Sequence, residues 1–167
     1  MLKEKIENDF TKALKNQDQS AIRALRMLRA EIFNKEKEKR YKLSKEKPEL
    51  TPQLLEKESF LGDDEVLATI LSRIKKGRES IFEFKKGQRQ DLVEKEEKEV
   101  KVLTCYLPEQ FSQKEIEQMA QEAVNQIGAQ DIKDMGKVMA QLMPKIKGKA
   151  EPALVSKIVK GLLLKHD

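Results

Sequence analysis

Apolar residues recur at helical spacing along almost the whole of this chain, each set on one narrow face, and that pattern leaves little but helices as its building material. Leu2, Ile6, Phe10, Ala13 and Leu14 fall at i, i+4, i+8, i+11 and i+12, predicting a first helix to Asn16. After a break at Asn16-Gln-Asp18, with Asp18 or Ser20 as cap, Ile22, Leu25, Leu28, Ile32 and Phe33 give a second stripe. Charged residues make up 38% of the chain and hydrophobic ones 38%, a balance that suits helices each burying one stripe and leaves disorder as the lesser reading. Five prolines, seven glycines, no tryptophan and few β-branched runs argue against a sheet, so the expected class is all-α. A chain of 167 residues has room for one domain or two small ones.

The stretch from Asn34 to Pro48 is nearly devoid of apolar residues, and alternating charges predict a solvated helical extension that anchors no core. Thr51 and Pro52 fit an N-cap and first helical position, predicting a short helix over Leu54, Leu55 and Phe60 closed by Gly62. Asp63-Asp-Glu65 opens the next, with Val66, Leu67, Ile70, Leu71, Ile74, Ile81 and Phe84 in phase across Gly77, and Gly87 as its end. Gln90 or Asp91 starts another, burying Val93, Val100, Leu103 and Leu107.

Tyr106 to Phe111 reads as a linker around Pro108, dividing the chain into an N-terminal helical bundle, 1–107, and a small three-helix unit, 108–167. Ser112-Gln-Lys-Glu115 matches a capping box ahead of Ile116, Met119, Ala120, Ala123, Val124 and Ile127, with Gly128 as the stop. Asp134 is expected to cap a short helix that runs to Met143 and is limited by Pro144, followed by a basic loop from Lys145 to Ala150. Glu151-Pro152 starts a last helix with Leu154, Val155, Ile158, Leu162 and Leu163 inward.

Positive charge concentrates in this second unit. Between residues 134 and 167, Lys137, Lys145, Lys147, Lys149, Lys157, Lys160 and Lys165 face only Asp134, Glu151 and Asp167, a balance of +4 in a chain of net +5. Lys145, Lys147 and Lys149 alternate with Ile146 and Gly148, so flexible ammonium groups could meet phosphates where a glycine lets backbone approach closely. A merely solvated basic loop is the plainer reading of the same charges. No aromatic residue interleaves with these lysines, which favours recognition of RNA shape over base stacking. Arg23, Arg26 and Arg29 form a second basic band, either another RNA contact or a solvated face with intrahelical acid partners. Met135, Met139 and Met143 lie four apart and read as core.

Enzyme chemistry finds few materials. Cys105 reads as a packed thiol and His166 as part of a frayed terminus, and one of each cannot build a four-ligand zinc site or an evident nucleophilic triad. Asp63, Asp64 and Glu65 could hold a cation, but helix-start electrostatics already account for them. No glycine-rich phosphate cradle is present, and no catalytic residue, metal or cofactor is expected. The absence of a long apolar run or an apolar leader predicts a cytosolic protein without a membrane span.

Leu107-Pro-Glu-Gln110, Asp134-Met-Gly-Lys-Val-Met139, Met143-Pro-Lys145 and Gly148-Lys-Ala150, with Arg89-Gln-Asp-Leu-Val-Glu-Lys95, together resemble the YqeY-like family. That family shares its C-terminal unit with the tail domain of the glutamine-dependent aspartyl/glutamyl-tRNA amidotransferase. The resemblance implies a helical bundle followed by a three-helix tail that engages tRNA or other structured RNA, with Lys137, Lys145, Lys147, Gly148, Lys149, Lys157 and Lys160 as candidate contacts. It implies tRNA-amidation machinery as a partner. A carbon-nitrogen ligase component using glutamine as amide donor, and a helical protein-interaction adaptor, are the alternatives. Glu151 and Pro152 depart from the family's more frequent aspartate and glycine, Gln88 from a common glycine, and Gly77 interrupts a commonly more basic run. The connection 40–62 is longer than usual.

Overall fold

The structure, a computed structural model, describes residues 1–164. Among the described residues there are eight α-helices and no strand: α1 (Leu2–Lys15), α2 (Gln19–Glu46), α3 (Pro52–Ser59), α4 (Asp63–Lys86), α5 (Gln90–Thr104), α6 (Gln113–Ile127), α7 (Met135–Ile146) and α8 (Pro152–Leu163). The all-α class expected from periodicity is the class observed. Two compact units divide the chain, Met1–Tyr106 and Leu107–Asp167.

In the first unit α2 is the spine, packing against α1, α3, α4 and α5, while α4 and α5 form the most extensive pair. Asp18 caps α2, its carboxylate accepting from the amides of Ser20 and Ala21. Ile6, Leu25, Leu28, Val66, Ile70, Val93 and Leu103 are completely buried and make the core. Phe33, placed on the inward stripe by spacing, is 58% exposed; the buried line runs Leu25, Leu28, Ile32 and then Glu36.

Glu36 overturns the expectation that the charged half of α2 anchors nothing. Its carboxylate accepts from Lys3 Nζ at 2.6 and 2.9 Å and from the Leu61 amide at 3.1 Å, so one buried acid ties α1 and the α3–α4 connection to α2. A buried carboxylate is tolerable only when so paired. Gly62 does not close α3, which ends at Ser59 with Phe60 as its cap. Gly62 instead precedes α4 and donates its amide to Glu65 Oε2 at 2.9 Å.

Gly77 is buried inside α4, where an added Cβ would lie 2.5 Å from Val100 Cγ2. The missing side chain is what lets α4 and α5 approach so closely, a reason the sequence does not disclose. At the end of α5, Tyr106 is buried rather than part of an open linker, and its hydroxyl donates to Asp9 Oδ2 at 2.9 Å. Burial and that acceptor both push the phenol's pKa up.

In the second unit α6, α7 and α8 pack pairwise around Ile116, Ala120, Val124, Val138, Leu142, Ile146, Val155, Val159 and Leu163. Ser112 and Glu115 form the expected capping box, and Gly128 closes α6 with φ 68. The steps Val138, Leu142, Ile146 and Val155, Val159, Leu163 each advance four residues, one buried ridge per helix. Met135 and Met139 flank the α7 ridge half-buried, Met143 is 38% exposed, and Leu154 is exposed rather than inward, because the ridge runs one register away from the methionines and from Leu154. Among the described residues no helix is long and apolar enough to cross a membrane.

Candidate nucleic-acid interface

The candidate surface is built on the end of α7. Pro144 lacks the amide that would bond back toward residue 140, and the expected helix stopped before it. The helix instead continues to Ile146, whose side chain is 1% exposed in the core, so tertiary burial outweighs the lost bond and Lys145 belongs to the last helical turn. There its charge complements the negative end of the helix dipole.

Beyond the helix the chain alternates strictly. Lys145, Lys147 and Lys149 are exposed while Ile146, Gly148 and Ala150 are buried. Gly148 has φ 78, a conformation that costs other residues steric strain, and the amides of Lys149 and Ala150 both donate to the Ile146 carbonyl at 2.9 and 3.0 Å. The turn is clasped from the other side: Gln110 Nε2 donates to the Gly148 carbonyl at 2.7 Å, and the Phe111 amide to the Lys149 carbonyl at 2.8 Å. Gly148 therefore shapes the turn and is itself buried. Lys149 Nζ sits 5.3 Å from the centroid of the Phe111 ring. Gln110 and Phe111 escape a reading of the sequence as contributors, since nothing local signals a pairing across 38 residues.

The other predicted contacts stand apart. Lys137 is eight residues before Lys145, roughly 12 Å of helix rise, and is engaged with Asp134 Oδ1 at 2.9 Å. That bond raises the lysine's pKa and lowers the carboxylate's. Asp134 does not cap α7 with its side chain; it accepts from Lys137 and from the Gln130 amide. Lys157 and Lys160 lie on the exposed side of α8, which starts at Pro152 with Glu151 as its cap residue. Among the described residues Lys145, Lys147, Lys149, Lys157 and Lys160 form no ion pair, in contrast to Lys137.

The arginine band of α2 resolves differently. Arg23 pairs with Glu99 of α5 at 3.5 Å, and Arg29 with Glu7 of α1 at 2.7 Å while stacking over Phe10 at 4.4 Å. Its acid partners are thus on neighbouring helices, not on α2. Cys105 is exposed, its thiol donating to the Lys101 carbonyl at 3.4 Å, so it is not a packed thiol. Asp63 Oδ1 accepts from the Leu2 amide at 2.8 Å and Glu65 holds Lys39 at 2.8 Å, local duties for two of the three acids at the start of α4. Lys165 and His166 lie outside the described residues.

Over 50 residues, 30% of its length, the chain is 42% identical to a Schizosaccharomyces pombe protein described as "Uncharacterized protein C22F3.15", and the match spans 41% of that relative. Residues 3–163, covering both units almost completely, match the family described as "Yqey-like protein". The chain belongs to the YqeY-like family.

Proposed function

We propose that this protein is a non-catalytic RNA-binding accessory protein whose second unit holds the backbone of tRNA or another structured RNA. The observation that carries the reading is the Lys145, Lys147 and Lys149 turn. Three exposed ammonium groups without ion pairs among the described residues project from a backbone fixed on both sides by hydrogen bonds. Lysine is a compact, mobile charge suited to phosphate oxygens and carrying little base information. Lys157 and Lys160 add further exposed positive charge to the same unit, on α8. The likeness of the second unit's motifs to the amidotransferase tail supports tRNA as the RNA and tRNA-amidation machinery as the setting. In that setting carboxylate activation and glutamine hydrolysis belong to other components.

Anisotropy titration with labelled tRNA tests this. The triple change Lys145→Ala, Lys147→Ala, Lys149→Ala is expected to weaken binding by about tenfold or more, each lysine supplying roughly one phosphate contact. Unchanged affinity would remove the reading. Purified protein that turned over glutamine with ATP would assign amidotransferase chemistry to this chain, and a protein partner retained after nuclease treatment, with no tRNA affinity, would make it an adaptor.

A further inference from the structure

The charged half of α2 carries a second surface with different chemistry. Of the chain's eight aromatic residues, four are more than half exposed, and two of them, Phe33 at 58% and Tyr41 at 61%, stand on this one helix. A single exposed ring is ordinary, but two on one helix, each with a lysine over it, raise the question of what meets them. At about 100° per residue, Arg26, Phe33, Lys37, Arg40, Tyr41 and Lys45 fall within an arc of roughly 140° that extends over about 28 Å of rise. All six are exposed.

No acidic residue of α2 falls in that arc. Glu36 is buried beyond one edge with Lys3, and Glu38 borders the other. Three other cations of this region are occupied: Lys35 donates to Thr69 Oγ1, Lys39 pairs with Glu65, and Lys47, just past the helix, pairs with Glu58, while Lys42 lies outside the arc. Lys37, Arg40 and Lys45 form no ion pair among the described residues. Instead Lys37 Nζ lies 5.1 Å from the centroid of Phe33 and Lys45 Nζ 4.4 Å from that of Tyr41. The face thus repeats one unit, a ring followed four residues later by a lysine.

We propose that this face of α2 binds single-stranded nucleic acid, with Phe33 and Tyr41 as stacking platforms and Arg26, Lys37, Arg40 and Lys45 on the phosphates. Rings interleaved with cations are the combination that holds single strands, since every base offers a face to stack and every nucleotide a charge. The rings are eight residues apart, about 12 Å along the helix, more than three times the separation of about 3.4 Å between stacked bases. They therefore receive bases of an unstacked strand and have no access to bases held within a duplex. On binding, each lysine exchanges a weak exposed cation–π contact for a phosphate. Lysine–aromatic pairs four apart also steady a helix, so the test must separate binding from stability. The proposal stands on residues of the first unit and is independent of the lysine turn.

Full-length protein is titrated by anisotropy with labelled oligouridine of about 12 nucleotides and with a duplex of the same length. Phe33→Ala with Tyr41→Ala is expected to weaken single-strand binding by about tenfold or more at a temperature where both proteins are fully folded, and the exchange Phe33→Tyr with Tyr41→Phe to preserve it. Lys37→Ala with Lys45→Ala is expected to lower the salt slope by about 1.4, each contact to a single strand contributing about 0.7. The Lys145, Lys147, Lys149 alanine variant should keep its single-strand affinity, so loss of that turn's function and loss of this one read out separately. Single-strand affinity indifferent to both rings, equal affinity for duplex, or displacement of the oligonucleotide by anionic phosphatidylserine vesicles would overturn the proposal.

Discussion

Gly148 and Gly77 are both glycines for reasons of geometry, but the reasons differ and so do the expected costs. At Gly148 the left-handed φ is the constraint, and Gly148→Ala should lower stability by about 1 kcal/mol or somewhat more, with the loss visible as a reduced melting temperature of the full chain. At Gly77 the constraint is the Val100 side chain 2.5 Å from any added Cβ, and Gly77→Ala should cost about 1–3 kcal/mol through overpacking against α5. Two acids make an opposed pair in pH. The Lys39 hydrogen bond, then the Gly62 amide, hold Glu65 below the usual carboxylate range, so its contribution is present at neutral pH and is lost as pH falls through the folded value. Burial, then the neighbouring Glu96, push Glu99 upward against Arg23 and Arg73, so it disfavours folding increasingly as pH rises from its unfolded value through its folded one. Melting curves at neutral pH and at about pH 3 should show Glu65→Gln destabilising and Glu99→Gln stabilising at neutrality, with both differences fading in acid. A same-signed effect would contradict this assignment.

The elements show which parts of a helix are written locally. Caps are legible because their signal is short range: Asp18 on α2, Thr51 on α3, the Ser112–Glu115 box and Gly128 all occur where the side-chain chemistry puts them. Ser112→Ala should therefore cost about 1 kcal/mol, measured by denaturant unfolding. The departures from expectation come from tertiary contacts. Burial of Ile146 carries α7 past Pro144, the buried ridge takes Val138 and Leu142 with Met135 and Met139 only flanking it, and Glu36 anchors a segment whose composition looks wholly solvated. The same limit hides the clasp at the candidate site. Lysines at positions 145, 147 and 149 are visible in the sequence, but that Gln110 and Phe111 fix the turn between them depends on a fold that brings distant segments together.

For the whole molecule, an all-α chain of the YqeY-like family presents its cations in two states. In the first unit many are spent on structure, as with Lys3 on Glu36, Arg29 on Glu7 and Lys39 on Glu65. At the α7 turn they are held out on a fixed backbone without such partners among the described residues, and this contrast underlies the proposed RNA contact. The most direct measurement is the salt dependence of tRNA affinity, wild type against the Lys145, Lys147, Lys149 alanine variant. The account predicts a steep linear fall of log affinity with log salt, and a slope shallower by about three in the variant, one for each phosphate contact removed. Parallel slopes, or binding that barely responds to salt, would contradict it.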